Sequence, residues 1–153
     1  MRSISLLLLF TSCLSCARAF AAPSVTDDQE QTIVRSLAPF ATRDGKTLLL
    51  KLNNGKALKL TDGSSCDVPE SCLVQRLLGL SPNRKSFVVE DLGYESRTLF
   101  WIGRNSGKRY EVYSEPDASP DGKWIVTANP SEFGSTNGVF IWEVRGDSLV
   151  EKL

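Results

Sequence analysis

The sequence contains no histidine. Without an imidazole, the chain lacks the base of a Ser-His-Asp or Cys-His nucleophilic site and any histidine ligand for a metal. It also lacks an excess of charge of either sign, because 18 lysines and arginines are interspersed with 18 aspartates and glutamates. A chain without a basic stripe is not typical of proteins that bind nucleic acid or an anionic membrane surface.

The carboxylates do not form a recognisable catalytic pair. The candidates are Glu90, Asp91, Glu95, Asp117 and Asp121. Adjacent residues of a strand point to opposite faces, and an aspartate in a turn ordinarily accepts hydrogen bonds from nearby amides. The loop around Asp117 and Asp121 also lacks the alternating oxygen ligands of a calcium site. We therefore predict that the protein is not an enzyme and has no cofactor and no metal.

Long hydrophobic runs are absent apart from one near the start of the chain. A basic start, the apolar stretch 6–10 and the small residues of 17–21 follow one another as in a removable export signal. The apolar stretch is too short for a permanent membrane span. We predict that residues 1–21 are cleaved, that no integral membrane segment remains, and that the protein is periplasmic or secreted. A lipoprotein acylated at Cys13 or Cys16 is the less favoured alternative.

Removal of that signal would leave two cysteines, Cys66 and Cys72. Pro69 between them favours a turn, and an oxidising compartment allows a disulfide to persist, so we predict a Cys66–Cys72 disulfide. A metal or redox site is the alternative. It is disfavoured because the spacing is not Cys-x-x-Cys and two sulfurs do not complete a tetrahedral zinc site.

A turn followed by a strand recurs along the chain. Ser119-Pro120-Asp121-Gly122-Lys123 precedes the strand-like run 124–128, and Ser81-Pro82-Asn83-Arg84-Lys85 precedes the run 86–90, 38 residues earlier. Proline presets φ for such a turn, and glycine takes the positive φ that redirects the chain. A weaker copy lies at 42–46. Recurrence at about 40 residues is the signature of propeller blades.

At these residues the chain resembles the Ser-Pro-Asp-Gly repeats of TolB-type and WD-type β-propellers. An aromatic strand follows each turn unit, at 99–102 and 139–142. The resemblance is nearer to the TolB type, because Ile102 and Glu143 stand after the tryptophans where the WD pattern has aspartate. It implies an all-β domain over 41–153 of mostly antiparallel sheets, an incomplete propeller of two to three blade-like units.

So few blades would leave unpaired strand edges, because a closed propeller uses about four to eight. The N-terminal arm could cover the edges, self-association could close the ring, or the chain could instead fold as a compact barrel or sandwich. A truncated gene product is a further alternative. Residues 22–40 are predicted to be this arm or a short helix, with a capping box at Asp27 and Glu30 and a stop at Pro39.

The clearest local prediction is a hairpin at Asn53-Asn54-Gly55, between the strand-like runs 46–52 and 56–60. Leu48, Leu50 and Leu52 would share its buried face. Further strands are expected at 74–80, 86–90, 97–102, 109–113, 123–128, 138–144 and 148–152.

Two interpretations of function follow. We favour an interaction module with a protein partner in the cell envelope. The aromatic strand residues are expected to be packed in the core, and Trp101 and Trp142 are the candidate binding residues if these strands present a surface. Alternatively, Ser106-Gly107-Lys108-Arg109-Tyr110 is similar to the Ser-Gly-x-x-Tyr loop of small periplasmic lysozyme inhibitors. That resemblance implies that Ser106, Gly107 and Tyr110 contact the enzyme.

Overall fold

The computed structural model describes residues 24–129 and 137–152. The predicted export signal and its cysteines lie outside the described residues. A helix, α1 (Asp27–Ser36), precedes all the strands of the described chain. The strands are β1 (Ala41–Asp44), β2 (Thr47–Lys51), β3 (Ala57–Thr61), β4 (Leu73–Leu80), β5 (Ser86–Gly93), β6 (Ser96–Gly103), β7 (Arg109–Glu111), β8 (Asp117–Ala118), β9 (Trp124–Asn129), β10 (Gly138–Arg145) and β11 (Ser148–Glu151).

The strands form three antiparallel sheets, and within each sheet they pair in chain order. The first sheet contains β1 to β3, the second β4 to β7 and the third β8 to β11. The predicted all-β fold of mostly antiparallel sheets is confirmed. Over residues 24–129 and 137–152, no sheet closes into a barrel, so the chain does not adopt the barrel alternative.

The two Ser-Pro turns have the same hydrogen bonds. The hydroxyls of Ser81 and Ser119 donate to the side chains two residues later, Asn83 at 2.7 Å and Asp121 at 2.6 Å. Each serine Oγ also accepts a 3.0 Å hydrogen bond from the first backbone N–H of the following strand. Residues 38 apart therefore occupy equivalent places in the second and third sheets.

Helix α1 begins with a capping box one residue earlier than predicted. The Thr26 hydroxyl accepts a hydrogen bond from the Gln29 N–H at 3.4 Å, and the Gln29 side chain accepts one from the Thr26 N–H at 2.8 Å. The predicted box of Asp27 and Glu30 is therefore wrong. Glu30 is not available for capping, because its carboxylate is buried against the sheets.

Glu30 attaches α1 to both the first and the second sheet. Its carboxylate pairs with the Arg43 guanidinium of β1 at 3.0 Å and accepts a hydrogen bond from the Leu77 N–H of β4 at 2.9 Å. Arg43 pairs in addition with Asp62 at 3.2 Å. A buried charge is tolerated where it is paired and hydrogen-bonded, as it is here.

The predicted Asn53-Asn54-Gly55 hairpin joins β2 to β3. Gly55 has a φ of 84°, in the left-handed region that this turn requires. The alternation of β2 buries Leu48 and Leu50 completely, and Leu52 just beyond the strand is also buried. The hairpin therefore buries one face only.

The second sheet lies between the first and the third. Alternate residues of its strands point to opposite faces, so the sheet contributes to two separate clusters. The cluster shared with α1 and the first sheet contains Val34, Ala41, Leu48, Leu50, Leu52, Leu60, Leu77, Phe87, Val89 and Ile102. The cluster shared with the third sheet contains Leu99, Trp101, Val112, Ile125, Trp142 and Leu149.

Candidate functional site

Trp101 and Trp142 both belong to the cluster between the second and third sheets, where their side chains are buried. The structure therefore corrects their assignment as candidate binding residues, because neither indole presents a face to solvent. Both indole N–H groups are buried without a hydrogen-bond partner. Trp124 is the tryptophan that faces solvent, with 41% of its surface exposed.

The Ser106-Gly107 segment forms the turn between β6 and β7, and its polar atoms are bound within the chain. Asp147, in the β10–β11 turn, accepts hydrogen bonds from the Asn105 and Ser106 N–H groups at 2.8 Å and from the Ser106 hydroxyl at 3.1 Å. A Cβ at Gly103 would lie 2.5 Å from Asp147 Oδ2, so this close approach requires glycine.

The same turn also contacts the hairpin of the first sheet. Asn53 Nδ2 donates to Asn105 Oδ1 at 2.7 Å, and Asn54 Nδ2 donates to the Asn105 carbonyl at 2.6 Å. The β6–β7 turn thus holds the turns of all three sheets together at one end of the molecule. We call this the turn cluster. Tyr110 beyond it is half-buried, with the Lys108 ammonium 4.8 Å from the centre of its ring.

The lysozyme-inhibitor interpretation stays a prediction. The three candidate residues Ser106, Gly107 and Tyr110 lie near one another, as the sequence suggests. In this structure, however, the Ser106 hydroxyl and N–H are already bonded to Asp147, and Gly107 lies against Leu52. The contacts of this loop are those of a structural turn.

Cys66 and Cys72 form the predicted disulfide. It closes the loop between β3 and β4, which contains a short 3₁₀ turn at Pro69–Ser71. The disulfide fits an oxidising compartment. In the described part of the chain, no helix is long and apolar enough to cross a membrane.

Three of the five candidate carboxylates, Glu90, Asp91 and Asp121, are engaged in structural contacts. Glu90 is buried and accepts hydrogen bonds from the Val25 N–H at 3.2 Å and from Arg97 Nε at 2.7 Å. Asp91 pairs with Arg109, and Asp121 caps its own turn. Over the two described ranges, no group of three or more metal-binding side chains comes together.

The outer face of the third sheet points away from the second sheet and is largely apolar, and within residues 24–129 and 137–152 no other element packs on it. The exposed fractions of Trp124, Val126 and Val139 are 41%, 40% and 55%. The pairing places these residues side by side, because Val126 lies opposite Ile141 and Ala128 lies opposite Val139. We call this surface the open face; its apolar residues are Trp124, Val126, Ala128, Val139, Ile141 and Val150, and Glu143 lies among them, opposite Trp124 and Val150.

The equivalent face of the second sheet is covered. Glu90 and Ala128 are equivalent, because each stands nine residues after the serine of its turn. Leu99 lies opposite Glu90, and Val139 lies opposite Ala128, so Leu99 and Val139 are equivalent as well. Leu99 is 1% exposed because the third sheet packs on it. The open face is therefore the counterpart, in the third sheet, of a face that packs against another sheet in the second.

The outer face of the first sheet, at the other end of the stack, is different. Its residues point away from the cluster that contains Leu48, Leu50 and Leu60. The face consists of Thr42, Asp44, Thr47, Leu49, Lys51, Ala57, Lys59 and Thr61; six of these eight are polar, and all but Thr47 and Leu49 are exposed. In proteins built from stacked repeats, a terminal unit with a polar outer face keeps the end of the stack soluble. The stack thus has one polar end and one apolar end.

One ion-pair cluster lies within the open face, because Glu143 stands between Trp124 of β9 and Val150 of β11. Glu143 pairs with Arg145 at 2.8 Å and with Lys152 at 3.0 Å. Hydrogen bonds from these two cations hold the pKa of the Glu143 carboxyl at about 2. At neutral pH, Glu143 is therefore ionised and both cations lie beside it.

The sequence places Trp124, Val126 and Ala128 on one face, but strand alternation alone does not say which face is covered. The role of Asp147 had no local signal, because its partners lie about 40 residues earlier in another sheet. The chain matches no protein-family model, no curated protein and no solved structure.

Proposed function

We propose that this protein is an exported, non-catalytic β-repeat protein of the cell envelope, and that it acts by binding a protein through the open face. The observation that carries this proposal is the contrast between Leu99, covered at 1% exposure, and Val139, uncovered at 55% in the equivalent position. Burial of apolar surface is the main driving force of protein association. A contiguous exposed apolar surface is therefore the best candidate for a contact with another protein.

The repeat architecture supports the TolB-like interpretation. Each sheet is a meander of consecutive strands, and the two Ser-Pro turns share one hydrogen-bond pattern. Propeller blades are meanders of this kind that pack face to face around an axis. In this proposal the open face lies where a further blade would pack.

The proposed location in the periplasm or outside the cell rests on two features. The residues before α1 have the pattern of an export signal, and the Cys66–Cys72 disulfide is of a kind that persists in oxidising compartments. The engagement of Glu90, Asp91 and Asp121 in internal contacts supports a role without catalysis.

The test is affinity capture of partners from an envelope extract with three forms of the protein. Val126→Asp places a charge in the open face. Thr61→Asp is the matched control, because it places the same charge on an exposed strand residue of the first sheet's polar face. We expect wild type and Thr61→Asp to retain a stoichiometric partner and Val126→Asp to lose it. Equal capture by all three forms would refute the open face as the binding surface.

A further inference from the structure

We propose that a groove between α1 and the second sheet binds the C-terminal end of a peptide, with the peptide carboxylate on Arg84 and Arg104. The groove shares no residue with the open face, so this site is independent of the function proposed above. Three features of the groove point to this ligand: two arginines without an acidic partner, an apolar lining, and a short free strand edge.

The groove runs between the last turn of α1 and the end of β4. Two adjoining cavities of about 430 Å³ and about 90 Å³ form it, and Leu37, Leu80 and Arg84 line both of them. Ile33, Leu37 and Leu80 are half-buried there and pack at the edge of the first core cluster. Ligand pockets commonly have volumes of about 300–1,000 Å³, so the groove accommodates a short segment and not a folded domain.

Two guanidinium groups stand at one end of the groove. Arg104 Nη1 donates to the Arg84 carbonyl at 3.0 Å, and the Arg104 guanidinium lies 4.7 Å from the centre of the Phe40 ring and 5.5 Å from that of Phe87. Among the described residues neither Arg84 nor Arg104 forms an ion pair, whereas five of the other six described arginines do. The groove thus offers guanidinium donors that no carboxylate of the described chain uses.

This end of the groove is positively charged although the C-terminus of α1 lies beside it. α1 ends at Ser36, which lines both cavities, and a helix C-terminus carries about half a negative charge. The two guanidinium groups carry one positive charge each and exceed it. Guanidinium groups bind carboxylates and phosphates through paired hydrogen bonds. The groove therefore fits an anionic group that is attached to an apolar one.

The end of β4 presents a free strand edge in the groove. β4 is an edge strand of the second sheet, and the Ser81 N–H donates to the Ser86 carbonyl at 2.9 Å. Because hydrogen-bonded and non-hydrogen-bonded pairs alternate along antiparallel strands, the N–H and C=O of Leu80 point away from β5. Three residues earlier, the Glu30 carboxylate occupies this edge at the Leu77 N–H. No other part of the described chain donates to or accepts from the outward backbone groups of Leu80.

The three features together select a peptide C-terminus. A fatty acid or a phosphate ester would use the arginines and the apolar lining but would leave the Leu80 backbone groups unpaired. A peptide strand can pair with Leu80 and place an apolar side chain against Ile33 and Leu37. Because β4 ends at Leu80, a strand that pairs with it also ends there. Its terminal carboxylate then lies at the two arginines.

The experiment is fluorescence polarisation with a set of labelled hexapeptides. They share the start Gly-Ser-Gly-Ser and end in all pairs of valine, leucine, isoleucine and phenylalanine, each with a free carboxylate or with a C-terminal amide. We expect at least one free-carboxylate peptide to bind the oxidised wild type below about 1 mM. Its amide should bind about tenfold more weakly or worse, because the hydrogen bonds to a charged acceptor are lost. Absence of binding by every peptide, or equal binding of acid and amide, would refute the site.

Two neighbouring substitutions separate the groove from the general charge of the surface. Arg84→Gln removes a guanidinium from the groove, and Lys85→Gln removes the same charge from an exposed residue that lines neither cavity. We expect Arg84→Gln to weaken peptide binding by about fivefold or more, and Lys85→Gln by less than about twofold. Circular dichroism checks that both variants are folded. Equal losses in the two variants would contradict binding in the groove.

Competition with decanoate identifies the class of ligand. Decanoate that binds more tightly than every peptide, and that depends on Arg84, would show that the site takes a fatty acid and would overturn the peptide assignment. Val126→Asp should bind the peptides as the wild type does, since the open face is elsewhere, and loss of peptide binding in this variant would refute a separate site. The capture experiment tests the open face alone, so either proposal can fail while the other holds.

Discussion

Leu99 and Val139 occupy equivalent positions in successive sheets, yet Leu99 is 1% exposed and Val139 is 55% exposed. The difference comes from what covers each sheet. The third sheet packs on Leu99, whereas within the described residues nothing packs on Val139. The stack of sheets thus ends on an apolar surface, and this surface is the basis of the function proposed above.

Substitutions of two tryptophans test which faces of the sheets are covered. We expect Trp101→Ala to lower the free energy of unfolding by about 3–5 kcal/mol, because it removes a buried ring from the core between two sheets. Trp124→Ala should cost about 1 kcal/mol or less, because this ring is already largely in water. Urea unfolding followed by circular dichroism measures both values. Equal losses would contradict the assignment of the two faces.

The buried ion pair of α1 gives a second prediction. Glu30→Ala leaves Arg43 with Asp62 as its remaining acidic partner and leaves the buried Leu77 N–H without its acceptor, so it should destabilise the protein by about 2–4 kcal/mol. Asp28→Ala on the exposed side of the same helix is the matched control and should change stability by about 0.5 kcal/mol or less. Thermal unfolding of the two variants measures the loss of stability in each. A Glu30→Ala protein as stable as the control would show that α1 is not anchored by this pair.

The turn cluster predicts a dependence of stability on pH. Burial acts to raise the pKa of the Asp147 carboxyl, but hydrogen bonds from the Ser106 and Asn105 N–H groups and from the Ser106 hydroxyl outweigh it and hold the pKa below its usual value of 3.8. Because the folded-state pKa is lowered, this stabilisation is fully present above about pH 4 and is lost as the pH falls through the folded-state value.

The Asp147→Asn variant removes that contribution. We expect it to be less stable than the wild type at pH 7 by about 2 kcal/mol, since the hydrogen bonds to a charged acceptor become weaker, and the difference should shrink below pH 4. Asp44→Asn, at an exposed position of β1, serves as the control. A difference between wild type and Asp147→Asn that is constant from pH 7 to pH 3 would contradict the prediction.

The disulfide closes a short loop, and its contribution should be correspondingly modest. The cysteines are six residues apart, which corresponds to about 2 kcal/mol of chain entropy in the unfolded state. We expect the Cys66→Ser, Cys72→Ser double variant to lose about this amount and to keep the circular dichroism spectrum of the wild type. Loss of the folded spectrum would mean that the loop is required for the fold.

Much of the fold could be predicted from the sequence, because its signals are local. The Asn53-Asn54-Gly55 turn, the Ser81 and Ser119 turns and most of the strands follow from turn residues and alternation. β1 and β8 were not predicted. The four residues of β1 contain two charges, and β8 has only two residues, so neither carries an alternating apolar pattern. Their partners on β2 and β9 determine them instead.

The candidate site was less predictable, because exposure is set by packing between sheets. The strand pattern of 124–128 separates Ile125 and Thr127 from Trp124 and Val126, but the covered side depends on where the second sheet lies. The 41-residue spacing of Trp101 and Trp142 does not show whether they are exposed. In the structure both are buried in one cluster. The Ser106-Gly107 motif has the residues of a binding loop, and Asp147 from a different sheet gives it a structural role.

The most direct test of the interaction surface is the labelling of an introduced thiol in the presence of an envelope extract. Val139→Cys reports on the open face, and Thr61→Cys reports on the polar face, while Cys66 and Cys72 are unreactive in their disulfide. The maleimide labelling rate at each site is measured by peptide mass spectrometry with and without extract. The account predicts that the extract slows labelling at Val139→Cys and leaves Thr61→Cys unchanged, whereas an unchanged rate at Val139→Cys would contradict it.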